Sequence, residues 1–430
     1  MDSRTVRAKH KEFLFGTNNY YEEPVVLAEG KGVRLKDLDG KSYLDFFGGI
    51  LSISVGHGNP EVNDAVIAQM GRLGHVSTLY PTLPIVSLAE TLASISPGNL
   101  KKCFFTASGT EADETAVMLA QVATKNLELI ALRHGYSGRS LLAQSLTAHA
   151  SWRNIPTQVG AIKHAPAPYC YRCPLQLEYP SCGVACAKDI EELIRTTTTG
   201  RIAGMIAVPI LGVGGFITPP REYFEIAAEI VRRYGGVFLD DEVQTGFGRT
   251  GKMWGIENYG VEPDVLTMAK GIANGLPLGA TIVTPAIADA FQGLTLSTFG
   301  GNPISCTAAN ATIGFIREHD LPGNAARQGE RLRHGLEELR KKHPRTIGEV
   351  RGMGLMQAIE LVADETKKDR TPNPKAVLRL FEETKARGLL IGRGGLYGNV
   401  VRISPPLTIQ ASEIDEGVRI LGEAFAAMGA

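Results

Sequence analysis

Between residues 103 and 283 short apolar runs alternate with stretches of helical periodicity, and this alternation leaves few folds open. The runs lie at 103–107, 127–132, 201–209, Val237–Asp241, 265–269 and 280–283. Helical patterns begin at Ser108, continue through AVMLAQVA, and recur over 221–234. Strands buried on both faces read as continuous hydrophobic segments, and parallel neighbours need a long crossover between them. The pattern therefore predicts an α/β fold, a mostly parallel sheet with helices on both sides. The flanks differ. The first 60 residues read as short strands (VVLAEGKG, VRLKDLDGK, YLDFFGGI) with a hairpin-type turn at Asp39-Gly40. A helix follows Asn59-Pro60, its inner face drawn by Val62, Ala65, Val66, Gln69, Met70 and Leu73, and another follows Pro84. Beyond residue 303, long helical patterns (303–318, 325–342, 373–387, 411–427) flank strands near 347–362, 388–392 and 400–403. The expected organisation is an N-terminal segment 1–60 contributing to a small α+β domain, a large domain 61–320, and a C-terminal small domain 321–430.

Composition narrows the function. Lys and Arg total 45 against 45 Asp and Glu, without the basic excess usual in partners of nucleic acid or anionic membranes. No apolar run reaches the length of a membrane span, and the opening MDSRTVRAKHKEFLFG lacks a secretory apolar region. Six cysteines in 430 residues are too few for a disulfide scaffold. A cytoplasmic enzyme is expected, without nucleic-acid or membrane partners.

Two strands end in a single charge. Asp241 closes VFLDD, and Lys270 follows VLTMA 29 residues later, with a glycine after it. In open α/β sheets ligands bind at the carboxyl ends of the strands. A lysine desolvated there has a lowered pKa and attacks carbonyls; the plainer alternative is a lysine that snorkels to solvent and an aspartate that caps a helix. Ser108-Gly109-Thr110-Glu111 follows the run CFFTA. It is a capping box, and it is also a helix start suited to phosphate. Phosphate cup, lysine and carboxylate together outline a site for pyridoxal 5′-phosphate (PLP).

With these pieces in hand the sequence resembles the class III, ω-amino-acid type aminotransferases of PLP fold type I. The likeness runs over nearly the whole chain: YLDFFGGI…VGHGNPEV, FTASGTEADETAVMLA, HGYSGR, VPILGVGG, FLDDEVQTGFGRTG, MAKGIANGLPLGA, STFGGNP and VRISPPLT. It implies a seven-stranded large-domain sheet and PLP as cofactor. Lys270 would carry the cofactor and shuttle a proton, Asp241 would pair with its ring nitrogen, and Gln244 would lie near its ring hydroxyl. Ser108, Gly109 and Thr110 would hold the phosphate, and Tyr136 would stack on the ring. Thr298 would reach the phosphate from the second subunit of a homodimer, or of a tetramer built from dimers. Arg402 matches the family's carboxylate-binding arginine, and Arg139 a second one used for distal carboxylates.

The departures point to substrates. Val213 stands where GABA- and ornithine-type relatives carry a glutamate that neutralises the substrate arginine. Arg402 would then stay free for an α-carboxylate, which favours pyruvate or glyoxylate as acceptor. Ile50 replaces the glutamine of decarboxylating relatives, while Val208 and Ser137 replace a glutamate and a histidine frequent in the family. The expected activity is a transaminase passing an amino group from an amino acid or amine to a small keto acid; a lyase, racemase, aminomutase or decarboxylase on the same scaffold is the alternative. Three other motifs carry less. Gly246 to Lys252 resembles a P-loop but ends in Met253, without the hydroxyl that binds Mg²⁺. His57 reads as a structural residue at a turn. Cys170, Cys173, Cys182 and Cys186 have metal-like spacing, but the short spacer with Pro174 and Pro180 favours a turn-rich loop of free thiols, and no metal is expected.

Overall fold

The computed structural model describes residues 1–16, 19–156 and 159–429. Seven strands form the central sheet in the order Lys102–Thr106, Gly279–Val283, Val265–Met268, Val237–Asp241, Gly204–Ala207, Leu129–Leu132, Ile162–Ala165. Five are parallel through the pairings around Val237–Asp241, and Gly279–Val283 runs antiparallel to both neighbours. The inner strands are buried along their whole length, which is why they read as apolar runs. Helix Gly109–Thr124 covers one side with Ala112, Asp113, Ala116, Val117, Leu119 and Ala120 inward. Helices Ala185–Thr197 and Tyr223–Arg233 pack together and place Ile190, Ile194, Phe224 and Val231 in the main core.

A second sheet joins Ile347–Met353, Met356–Asp364, Val400–Ile403 and Gly392–Gly394, with Asp369–Pro372 at the far end of the long strand. A third contains Leu27–Lys31, Arg34–Asp37 and Ser42–Asp45, and closes on Leu389–Leu390 in parallel. Chain from both ends thus shares one sheet. Gly40 takes φ +87 in the turn read from Asp39-Gly40. Helices Pro303–Glu318 and Ala411–Ala427 have the bounds expected; the third runs Leu321–Lys342, beginning four residues early because Asp320 caps it and Pro322 sits in its first turn.

Several elements escape the sequence pattern, among them one edge strand and two helices. Ile162–Ala165 is an edge strand, where Lys163 and His164 need not be apolar. Helix Ala185–Thr197 lies between the cysteine loop and the next strand, and helix Ser3–Phe13 is mostly exposed. The helix Pro60–Met70 forms with Asn59 accepting from the Val62 N–H; of its expected inner face Val62 is buried and Ala65, Val66 and Gln69 are half-buried, while Met70 and Leu73 are exposed. Among the described residues no helix is long and apolar enough to cross a membrane.

Candidate active site

A cavity of about 310 Å³ opens at the carboxyl ends of the parallel strands. Ser108, Gly109, Thr110, Tyr136, Asp241, Gln244 and Lys270 all line it, brought together from four separate segments of the chain. Asp241 is the last residue of its strand and is 4% exposed; its Oδ1 accepts from the Val243 N–H at 2.9 Å. Burial lifts its carboxyl to about 6, against the opposing pull of that N–H and of Lys270. Lys270 opens a short turn after Met268 with φ +46, a left-handed conformation that is strained for lysine. Burial lowers its ammonium to about 8, although Asp241 and Asp113 favour the charged form; Arg402 pushes it further down. A lysine with that pKa exchanges protons near neutrality.

Ser108 caps helix Gly109–Thr124: its Oγ accepts from the Glu111 N–H, and Glu111 reaches back to the Ala107 N–H at 2.8 Å. The Ser108 cap is real, but Glu111 returns to the Ala107 N–H rather than that of Ser108, so the box is not closed in full; the N–H groups of Gly109 and Thr110 are left without a protein acceptor among the described residues. A helix start with free donors at a cavity wall suits a phosphate. Two glycines shape this wall. A Cβ on Gly138, at φ +137, would stand 2.2 Å from the Thr110 Oγ1. A Cβ on Gly212 would stand 2.2 Å from the Gln244 Oε1. That Gln244 oxygen is buried and has no hydrogen-bond partner, so it waits for a donor such as a ring hydroxyl. Orphan acceptor, free N–H pair, strand-end carboxylate and lowered lysine fit PLP at four points.

Arg402, on strand Val400–Ile403, is 3% exposed. Its Nε donates to the Arg393 carbonyl at 2.9 Å and its Nη1 to the Gly212 carbonyl at 3.3 Å, while its guanidinium lies between the rings of Phe47 and Phe216, 5.0 and 5.6 Å from their centroids. No carboxylate pairs with it among the described residues. Val213 follows Gly212, so the residue next to this contact is apolar.

Four site residues named from the sequence are not among those that line the cavity: Arg402, which acts on Lys270 through its charge, and Thr298, Arg139 and Ile50. Thr298 is exposed and lines a separate surface groove with Glu111, Thr115 and Phe299. Arg139 is exposed, though close enough to influence the Tyr136 hydroxyl. Ile50 is 48% exposed, in a left-handed run from Gly48 to Leu51. His57 does serve a turn, with its Nε2 2.8 Å from the Asp45 Oδ2. Tyr136 meets Trp152 edge to face at 5.6 Å, and Trp152 with Tyr20 and Arg393 lines an adjoining cavity.

Asp113 escaped the sequence reading. It is 1% exposed, lines the cavity, and accepts from the Thr267 Oγ1 at 2.7 Å. Burial and then Asp241 push its carboxyl well above the usual range. The available signal was its place on the apolar stripe Asp113, Ala116, Val117, Ala120.

Comparisons with known proteins give the family. The family model Aminotransferase class-III matches residues 15–425. Alanine–glyoxylate aminotransferase 2 homolog 2, mitochondrial, of Arabidopsis thaliana is 42% identical, over 95% of this chain and 85% of its own. The human alanine–glyoxylate aminotransferase 2, mitochondrial, is 37% identical over 97% and 85%. A solved amine transaminase from an uncultivated Pseudomonas species, in its PLP-bound form, superposes with a TM-score of 0.90 at 33% identity, covering 96% of this chain and 97% of its own. The chain belongs to the class III aminotransferases, PLP enzymes of fold type I that transfer amino groups.

Proposed function

We propose that this aminotransferase takes an amino group from an amino acid or amine and delivers it to pyruvate or glyoxylate, as a homodimer with the site completed at the subunit interface. The observation that carries the acceptor class is Arg402, a buried cation without a counter-charge beside Lys270. Burying an unpaired charge is costly, and a bound carboxylate removes that cost through a bidentate fork. A short 2-keto acid puts its carbonyl carbon next to its carboxylate, so anchoring one presents the other to Lys270. Val213 leaves no competing acid at that point. The names of the Arabidopsis and human relatives support glyoxylate as an acceptor.

When bound, PLP supplies an aldehyde and an electron sink. In this reading Lys270 would hold the cofactor, and its free Nζ would take a proton from the substrate Cα and give one back. Its pKa near 8 suits both directions. Asp241 would keep the ring nitrogen protonated, Gln244 would accept from the ring hydroxyl, and Ser108, Gly109 and Thr110 would take the phosphate. Tyr136 would cover one ring face. Arg139 and Ile50 stay in the proposal as contacts at the rim, Arg139 supported by its reach to Tyr136.

The dimer is supported by an apolar face. Helices Pro60–Met70 and Leu83–Ile95 both pack on Pro303–Glu318, and the His75–Phe299 ring contact at 5.2 Å brings the loop with Thr298 alongside. Ile67, Met70, Leu83, Leu294 and Phe299 are exposed there, more than a lone soluble chain usually shows. The proposal keeps the division at residues 60 and 320, supported by the pairing of Ser42–Asp45 with Leu389–Leu390, and keeps the cytoplasmic placement. Steady-state kinetics test the acceptor site: Arg402→Ala should raise KM for pyruvate and glyoxylate by about 100-fold, within the 2–5 kcal/mol typical of a lost buried charge pair. An unchanged KM would refute it.

A further inference from the structure

Away from the cofactor cavity a second enclosure gathers four cysteines. Cys170 opens the turn Cys170–Arg172 and Cys173 follows it; Cys182 precedes helix Ala185–Thr197 and Cys186 lies in its first turn. On sequence alone the eight-residue spacer 174–181 argues against a shared site. Folded, it returns the chain, and all four cysteines line one cavity of about 20 Å³ whose other walls include Leu175, Leu177 and Val184. That volume suits a single small occupant.

We propose that Cys170, Cys173, Cys182 and Cys186 form a tetrathiolate site for one zinc ion, which pins the cysteine loop to the start of helix Ala185–Thr197. Four sulfurs in paired C-x2-C and C-x3-C spacing match what zinc takes in structural sites, and soft thiolate sets select it over harder cations. Among the described residues the only three candidate ligands already within 4.8 Å of one another are Glu61, Glu318 and His319 on the surface, so the cysteines must turn about their side-chain bonds to close on the ion. One Zn²⁺ would replace four S–H protons with four Zn–S bonds and release the protons to solvent; no oxidant enters. The resulting double negative charge has cations at hand. Arg172, between the first two cysteines, pairs through its Nε with Glu360 and keeps a buried Nη2 without a partner among the described residues, and Lys188 Nζ lies 3.3 Å from where a Cβ would stand on Gly183.

The loop is worth pinning. Tyr169 and Arg172 both bond Glu360, Tyr171 donates to the Glu365 Oε2 at 2.6 Å, and Glu360 holds Arg351, whose Nε donates to the Gly215 carbonyl at 2.8 Å. The segment so held contains Gly212, the carbonyl partner of Arg402.

Metal analysis of the holoenzyme, saturated with zinc and desalted, tests the site. The expected result is about one zinc per chain, lost in a Cys170→Ser/Cys182→Ser variant and kept in Cys103→Ser, which alters a thiol outside the cluster. Cobalt(II) added to metal-depleted holoenzyme should give the intense red-region absorption of a tetrahedral thiolate site. Less than about a tenth of a zinc per chain, or zinc retained by the double variant and lost from His319→Ala, would overturn the proposal. If the double variant does not fold, the metal content and the cobalt spectrum of the unaltered protein decide. None of these outcomes depends on which keto acid the enzyme accepts.

Discussion

Two carboxyl groups and one ammonium share the floor of the cofactor cavity, and their charges compete. Asp241 has a folded pKa of about 6, above its ordinary 3.8, so between those values the folded chain binds the extra proton. Its contribution is therefore fully present below about pH 4 and lost as pH rises through 6. Asp241→Asn removes the buried charge while keeping an oxygen for the Val243 N–H. It should stabilise the cofactor-free protein at pH 7 by on the order of 2 kcal/mol, with the gain vanishing near pH 4, and it should abolish turnover. Thermal melts across that pH range check this; a gain that persists at pH 4 would show that charge is not the cause. Lys270 and Asp241 were legible because a charge at the end of an apolar strand needs a reason. Asp113 was hidden by its alanine-rich helix, and Arg402 offered no local pattern, emerging only through family resemblance.

At the scale of elements, the phosphate end of the cavity depends on close contact between the Gly138 turn and helix Gly109–Thr124. Gly138 combines a φ that other residues rarely adopt with no room for a side chain. Gly138→Ala should push Thr110 out of place and weaken PLP affinity by about tenfold, as for roughly 1–2 kcal/mol of strain, with kcat at saturating PLP far less affected. Equal affinity, measured by titration of the cofactor-free protein, would remove Thr110 from the phosphate site. The helices beyond residue 303 were readable because their apolar periodicity is long. The edge strand Ile162–Ala165 was not, because an edge position relaxes the demand for apolar residues that makes inner strands visible.

Over the whole molecule, the exposed apolar side chains Ile67, Met70, Leu83, Leu294 and Phe299 make up the proposed dimer face. Ile67→Asp with Leu83→Asp should convert the protein to monomers in sedimentation analysis and cut activity by about tenfold or more, since Thr298 would no longer meet a neighbouring site. A fully active monomer would contradict the interface proposal. The sheet order was not written locally: alternation predicts parallel strands and covering helices, but the antiparallel Gly279–Val283 and the closure of Ser42–Asp45 on Leu389–Leu390 come from contacts across hundreds of residues. The central claim, amino transfer relayed by Lys270 to a keto acid, is tested most directly by following the visible absorbance of the PLP-loaded protein through one half-reaction. An amino donor alone should bleach the Lys270-bound cofactor band and release at most one product per site, and pyruvate or glyoxylate should restore the band. Continuous product formation with no keto acid present would contradict the account and identify a racemase or lyase.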